Sequence, residues 1–207
     1  MHFPLMVDLT DRLTVVVGGG AVALRKCRQL LEFGARVRVV APEFRDELLE
    51  LAGAELCRRI YGPDCLEGAF LAVAATGDAA VNRAVYQDCT LARIPVNVCD
   101  QPELCTFFFP AVVHRGELVV SVSTGGESPA LAARLRARLE EDLPPEEGER
   151  VRLLGLLRRR CAHLEPQRRR ALAVQAASAD LDKLEKVWHQ VEEGVPPEQA
   201  IEIWCSP

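Results

Sequence analysis

No run of apolar residues in this 207-residue chain approaches the ~20 that a membrane-spanning helix needs, so a membrane protein is not expected. The chain also lacks an excess of positive charge. Its 25 Lys and Arg against 30 Asp and Glu leave a net charge of −5, which argues against a general nucleic-acid binder. Met1-His2-Phe3-Pro4 has neither a basic n-region nor a long apolar core, so no signal peptide is read there. None of the 8 cysteines forms a C-x-x-C pair, and Cys99 and Cys105 do not have a standard zinc spacing. His2, His163 and His189 show no ligand spacing, and no acidic cluster accompanies them. No structural metal is therefore expected. Scattered cysteines without a framework read as reduced thiols in a cytoplasmic protein. There is no internal repeat and no low-complexity tract. What remains is 49% hydrophobic residues, enough for one or two domains with real cores.

The richest segment is Leu13-Thr14-Val15-Val16-Val17-Gly18-Gly19-Gly20-Ala21-Val22-Ala23-Leu24-Arg25-Lys26. A β-branched run breaks into glycines and resumes as a helix former. Gly18, Gly20 and Ala23 match G-x-G-x-x-G/A, the strand-turn-helix fingerprint of a dinucleotide site. Gly18 permits the tight turn, Gly20 lets a pyrophosphate approach the backbone, and Ala23 lets helix pack on strand. The phosphates sit where the helix presents free N–H groups. A bare tight turn is the alternative.

Residues 1–112 read as alternating strands (13–17, 36–41, 56–60, 69–75, 95–99) and helices (21–33, 43–52, 78–92). This is a Rossmann-like α/β fold with a parallel sheet. Its strand ends Val17-Gly18, Ala41-Pro42, Ala75-Thr76 and Val98 to Asp100 are expected to line one crevice. Residues 107–113 and 117–123 then read as a hairpin turning at His114-Arg115-Gly116. Ser128-Pro129 opens a helix that runs to Pro144-Pro145. A hairpin plus one helix buries little alone, so 113–149 reads as a dimerisation segment giving a homodimer. Packing on the first domain only is the alternative. Residues 150–207 form a helical domain with segments 150–163, 166–177, 180–193 and 197–204. Its stripes of Leu153, Leu156, Leu157, Val187, Trp188, Val191, Ile201 and Trp204 are core positions.

Three elements stand together: the glycine turn with Arg25-Lys26, Val96-Asn97-Val98-Cys99-Asp100, and Val122-Ser123-Thr124-Gly125-Gly126-Glu127-Ser128-Pro129. Their order and spacing resemble the precorrin-2 dehydrogenase family, the dehydrogenase/ferrochelatase part of siroheme synthase. Ala74-Ala75-Thr76 with Val81-Asn82, and Phe108-Phe109-Pro110, share the likeness, which covers residues 1 to about 140. The resemblance implies that NAD+ takes a hydride from precorrin-2 to give sirohydrochlorin; some members also insert Fe2+. It places nucleotide contacts on Gly18, Gly19, Gly20, Ala21, Val22, Pro42 and Glu43, with Thr76 beside them at a strand end. It places the catalytic aspartate on Asp100 and the serine of a Ser-Ser-Gly-Gly element on Thr124. Ala21 departs from the Asp that members can carry, so only a backbone contact survives there. No methyltransferase segment follows in these residues, so precorrin-2 is expected ready-made.

The residues carry their own chemistry beside that likeness. Asp100 at a strand's carboxyl end can take a proton as hydride leaves, with a pKa that burial near a cofactor would raise; alternatively it caps a turn before Gln101-Pro102. Thr124-Gly125-Gly126 offers a hydroxyl and backbone N–H groups to a substrate carboxylate, or forms a plain turn before the Ser128 N-cap. His114 can move protons, or is an exposed turn histidine. Glu43 lies slightly past the usual place for a ribose-binding acid and can reach the ribose or start a helix, while Arg45 can favour a 2′-phosphate instead. Arg158-Arg159-Arg160 and Arg168-Arg169-Arg170 can steer a polycarboxylate or simply solvate helix faces. Two other functions compete: a chelatase without dehydrogenase activity, and a non-catalytic NAD-sensing module.

Overall fold

Strand β1 (Leu13–Val17) is the middle of a five-stranded parallel sheet, and all but its first residue are buried. The structure, a computed structural model, describes residues 2–205; Met1, Ser206 and Pro207 lie outside the described residues. With β2 (Arg36–Ala41), β3 (Ala54–Arg58), β4 (Leu71–Ala74) and β5 (Val96–Val98), the order is β3-β2-β1-β4-β5. The order reverses at β1 and β4, which is the switch point where such sheets bind ligands. The continuous apolar run of the fourth strand is buried at every position, as a central parallel strand requires.

Helix α1 (Ala21–Glu32) starts directly at the glycine turn. It ends where Gly34, at φ +76°, reverses the chain and lets the Ala35 N–H donate back to the Leu30 carbonyl. Helix α3 (Ala79–Ala92) begins at Asp78, whose carboxylate accepts from the N–H groups of Ala80 and Val81. The predicted helix over 43–52 shrinks to α2 (Asp46–Leu49). Residues 42–45 are held against the glycine turn instead, with the Arg45 N–H donating to the Gly19 carbonyl at 3.0 Å. β3 also begins and ends two residues earlier than predicted, which leaves Ile60 outside the sheet. Val16, Val39 and Val73 share one core with Leu24, Leu30 and Leu48. Val15, Val17 and Val96 share the core on the sheet's other side with Val85 and Cys89.

Phe107 to Phe109 is not strand, contrary to the predicted hairpin. Phe107 and Phe109 pack half-buried against the first core, because covering part of two aromatic rings outweighs the short-range strand signal. The chain divides between Phe109 and Pro110 into two compact units.

The second unit begins with the hairpin β6 (Ala111–Arg115) and β7 (Leu118–Val122). Arg115 pairs with Leu118, so the turn is Gly116-Glu117 rather than His114-Arg115-Gly116, with Gly116 at φ +57°. Helix α4 (Pro129–Asp142) packs on this hairpin. Helix α5 (Glu146–Arg160) runs across position 149/150, where a domain boundary was expected. Glu146, Glu147 and Glu149 in its first turn and Arg158, Arg159 and Arg160 in its last complement the helix dipole at both ends. α6 (Pro166–Ala177), α7 (Leu181–Glu192) and α8 (Pro197–Trp204) complete the unit. Leu153, Leu157, Val187, Val191 and Ile201 form its core, with Leu156, Trp188 and Trp204 at the margin.

Candidate active site

A cleft of about 400 Å³ opens at the carboxyl ends of β1, β2 and β4. Gly18, Gly19, Gly20, Pro42, Glu43 and Thr76 line it, so six of the expected cofactor residues meet in one place. Each glycine is required for a different reason. Gly18 holds φ +134°, and a Cβ there would lie 2.3 Å from the Ala75 carbonyl oxygen. A Cβ on Gly19 would lie 1.9 Å from the Glu43 carbonyl oxygen, so Gly19 also lets the β2 end close against the turn. Gly20 alone faces open space, with nothing within 4 Å of its Cβ direction.

Gly20 caps α1 with no side-chain hydrogen bond, and no acidic side chain stands in the first turn. The N–H groups that open the helix therefore keep their donors for an anion. Ala21 is exposed and Val22 packs against the core. Neither side chain lines the cleft, so both can contribute only backbone N–H groups. An open glycine approach, unsatisfied donors and a cleft at the switch point together fit the pyrophosphate of a dinucleotide.

The opposite wall is built from Thr76. Its N–H and hydroxyl donate to Asn82 Oδ1 at 3.2 and 2.8 Å, and Asn82 Nδ2 donates back to the Thr76 carbonyl at 3.1 Å. Asn82 is 3% exposed, and this triple contact locks the β4 end. Ile60, Tyr61, Gly77, Asp78 and Val81 also line the cleft, none of them anticipated as site residues. The Tyr61 hydroxyl donates to Asp88 Oδ2 at 2.9 Å, and burial with this bond pushes the phenol pKa up. Asp78 was legible only as a helix cap. Ile60 and Tyr61 carried no signal, because their place depends on where β3 stops.

Val98 to Asp100 does not line this cleft, contrary to expectation. β5 sits beyond β4 and stops at Val98, so its carboxyl end is set apart from the turn at β1. Asp100 is exposed rather than buried, contrary to expectation. It adopts φ +62°, a left-handed conformation that Asp tolerates better than most residues. The segment behind it is pinned to β5. Asn97 Nδ2 donates to the Phe107 carbonyl at 3.0 Å, the Thr106 N–H donates to the Val96 carbonyl at 2.8 Å, and Cys105 Sγ accepts from the Val98 N–H at 3.2 Å. The return of chain onto β5 therefore holds the turn that displays Asp100. Lys26 adds to this on the α1 side, with Nζ 3.7 Å from the Phe109 ring centroid. Burial lowers the Lys26 pKa to about 8.

In the second unit, Thr124 and the glycines form the connection from β7 to α4. Thr124 Oγ1 accepts from the Ser128 N–H at 3.1 Å, and Ser128 Oγ accepts from the Leu131 N–H at 3.3 Å. Gly125 and Gly126 hold φ +67° and +93°, with open space at both Cβ directions. His114 is not a turn residue. It lies in β6 opposite Val119 and is half-buried.

All eight cysteines are free, and burial pushes the Cys27 and Cys89 thiols up to about 12, so both are inert. Among the described residues no group of three or more His, Cys, Asp or Glu could hold a metal ion, and no helix is long and apolar enough to cross a membrane.

Sheet order, glycine turn and cleft define a dinucleotide-binding protein of the Rossmann class. Residues 5–111 match the family model described as "Putative NAD(P)-binding", and residues 115–141 match "Sirohaem biosynthesis protein central". The siroheme synthase of Stutzerimonas stutzeri is 42% identical over 203 residues, covering 97% of this chain and 41% of the relative. That of Ectopseudomonas mendocina is 46% identical over 164 residues, covering 79% of this chain and 36% of the relative. The chain thus spans less than half the length of these curated relatives. Among solved structures, SirC, a precorrin-2 dehydrogenase, superposes with a TM-score of 0.73 at 28% identity, over 93% of this chain and 100% of that one. The chain belongs to the family described as "Putative NAD(P)-binding".

Proposed function

We propose that this protein oxidises precorrin-2 to sirohydrochlorin with NAD+, a step of siroheme biosynthesis. The observation that carries the reading is the open glycine approach at Gly20 beside the free N–H groups of α1, in a chain similar along nearly its whole length to a precorrin-2 dehydrogenase. Bound NAD+ supplies the hydride acceptor. The backbone of Gly18, Gly19 and Gly20 and the N–H groups of Ala21 and Val22 would hold its phosphates, in the cleft that Pro42, Glu43 and Thr76 also line.

Asp100 takes the proton that leaves as the substrate C–H bond gives up its hydride. Its exposed carboxylate stands open to the substrate side of the turn that displays it. The Thr124 hydroxyl accepts from the chain and keeps its own hydrogen for a substrate carboxylate, assisted by the exposed backbone at Gly125 and Gly126. His114 is the second candidate for proton transfer. Where Fe2+ is the substrate, Asp100 can take the pyrrole protons that metal insertion releases. The free thiols support a reducing, cytoplasmic setting. The half-buried hairpin supports a homodimer through the region 113–149.

Anaerobic incubation of the purified protein with precorrin-2 and NAD+, followed by absorption before and after Fe2+ is added, tests the reading. Sirohydrochlorin should form only with NAD+, and a further enzyme-dependent change with Fe2+ would reveal the second activity. Asp100→Asn keeps the shape and the tolerance for the left-handed backbone. It should lower turnover about 100-fold or more while NAD+ binding persists. No NAD-dependent change in the spectrum would refute the proposal.

A further inference from the structure

We propose that Cys105 is a positioning residue for Asp100, its thiol tying together the two ends of the turn that displays this carboxylate. The inference rests on the reading of Asp100 as proton acceptor given above. The turn begins where β5 stops. The Gln101 N–H donates to the Val98 carbonyl at 3.3 Å, and Asp100 stands between them at φ +62°. A residue with a side chain persists in the left-handed region only where its surroundings fix it. Asp100 is exposed, so the fixing has to come from behind the turn.

β5 is an edge strand, and the outward backbone groups of an edge have no neighbouring strand to bind. The returning chain takes them one by one. At Val96 the N–H donates to Thr106 Oγ1 at 2.8 Å, and the carbonyl accepts from the Thr106 N–H at 2.8 Å. At Val98 the returning chain offers a thiol instead. Cys105 Sγ accepts from the Val98 N–H at 3.2 Å and from Asn97 Nδ2 at 3.5 Å. Its S–H is shared between the Val98 carbonyl at 3.3 Å and the Gln101 carbonyl at 3.4 Å. Burial pushes the Cys105 thiol pKa up, so that hydrogen is kept. Cys105 is itself anchored, because its N–H donates to the Pro102 carbonyl at 3.1 Å. One sulfur atom thus touches the chain on both sides of Asp100, at Val98 before it and at Gln101 after it. Without the thiol the Val98 N–H and the Gln101 carbonyl each lose a partner, and the turn is free to swing the carboxylate away from the reacting bond. The dinucleotide cleft is lined from the ends of β1, β2 and β4, apart from this turn. Loss of the thiol should therefore slow the chemistry and leave NAD+ binding alone.

The test compares Cys105→Ser, which keeps a donor and an acceptor, with Cys105→Ala, which keeps neither, in turnover of precorrin-2 and in NAD+ calorimetry. Cys105→Ala should lower kcat about tenfold, as a small misplacement of a reacting group does, with the NAD+ Kd unmoved. Cys105→Ser should restore kcat to within about threefold of wild type. The effect should also run through Asp100: in an Asp100→Asn background, Cys105→Ala should lower kcat by less than about twofold more. Wild-type kcat in Cys105→Ala, or a loss of the same size in the Asp100→Asn background, would overturn the inference. If Cys105→Ala does not fold by circular dichroism, Cys105→Val takes its place, and loss of fold in both would show a purely structural bond and overturn it as well. An Asp100→Asn variant as fast as wild type would instead overturn the reading of Asp100 on which the inference rests. A slow Asp100→Asn beside a fast Cys105→Ala would leave that reading standing and overturn the inference alone.

Discussion

Gly19 and Gly20 are neighbours that lack a side chain for opposite reasons. At Gly19 the missing Cβ makes room for the protein itself, because the Glu43 carbonyl would be 1.9 Å away. At Gly20 it makes room for a ligand, because nothing of the chain is near. The two should separate experimentally. Gly19→Ala is expected to force the β2 end off the turn, lowering both thermal stability and NAD+ affinity. Gly20→Ala should cost less than about 1 kcal/mol in thermal denaturation, the order of an N-cap change, yet weaken NAD+ binding at least tenfold in calorimetry. Equal effects of the two variants on both readouts would contradict the assignment. The fingerprint was legible in the sequence as Gly18, Gly20 and Ala23. Gly19 fell at a variable position of that pattern, and only the approach of residues 42–45 shows why it is needed.

Among the elements, α1 and α5 each meet a neighbour through one residue whose chemistry is unusual for a helix. Lys26 of α1 is desolvated against Phe109, near Cys99 and Cys105, and its pKa falls to about 8. An unfolded lysine titrates near 10.4. Between these values the unfolded chain binds more protons than the folded one, so the Lys26 contribution to stability rises with pH and levels off above the upper value. The cost of charging this buried amine is fully present below pH 8. Melting temperatures of wild type and Lys26→Met should therefore diverge in favour of wild type between pH 8 and 10, whatever their gap at pH 7. A gap independent of pH would show that Lys26 titrates normally. Gly148 sits in the first turn of α5, where a Cβ would lie 2.7 Å from the Arg115 carbonyl oxygen. A helical Gly→Ala change ordinarily stabilises by about 1 kcal/mol. Here the clash with backbone should reverse the sign, giving a loss of about 1–3 kcal/mol in denaturant unfolding. Helix α5 itself was legible from its apolar stripe, but its start was placed late, at residue 150, because Gly148 and the glutamates around it were assigned to the dimerisation segment and their dock on the hairpin is a tertiary contact.

For the whole molecule, the hairpin bears on how many copies work together. A two-stranded sheet leaves one edge unpaired on each strand and is marginal alone. Val113 is buried on one face of the hairpin, whereas Val119 and His114 lie on the other and are half-buried. If this second face joins two copies, sedimentation should show a dimer for wild type and a monomer for Val119→Lys. A wild-type monomer at working concentration would remove the dimerisation role of residues 113–149.

The local pattern of residues was sufficient for the alternation of strands and helices, the glycine turn, the Asp78 and Ser128 caps and the helical character of the last 60 or so residues. These depend on periodicity and on backbone preferences within a few positions, which a sequence carries directly. The chain order also implied that Thr76 would stand near the glycines, because parallel strands bring their carboxyl ends to one edge. Tertiary structure alone decided the packing of Phe107 and Phe109 against the core, the exposure of Asp100 on a left-handed turn, and the entry of Ile60 and Tyr61 into the cleft. It also decided that Arg45 holds Glu47 and Arg59 holds Asp64. Such outcomes are contests between partners distant in sequence, settled by geometry and desolvation, and no short stretch of residues records who wins.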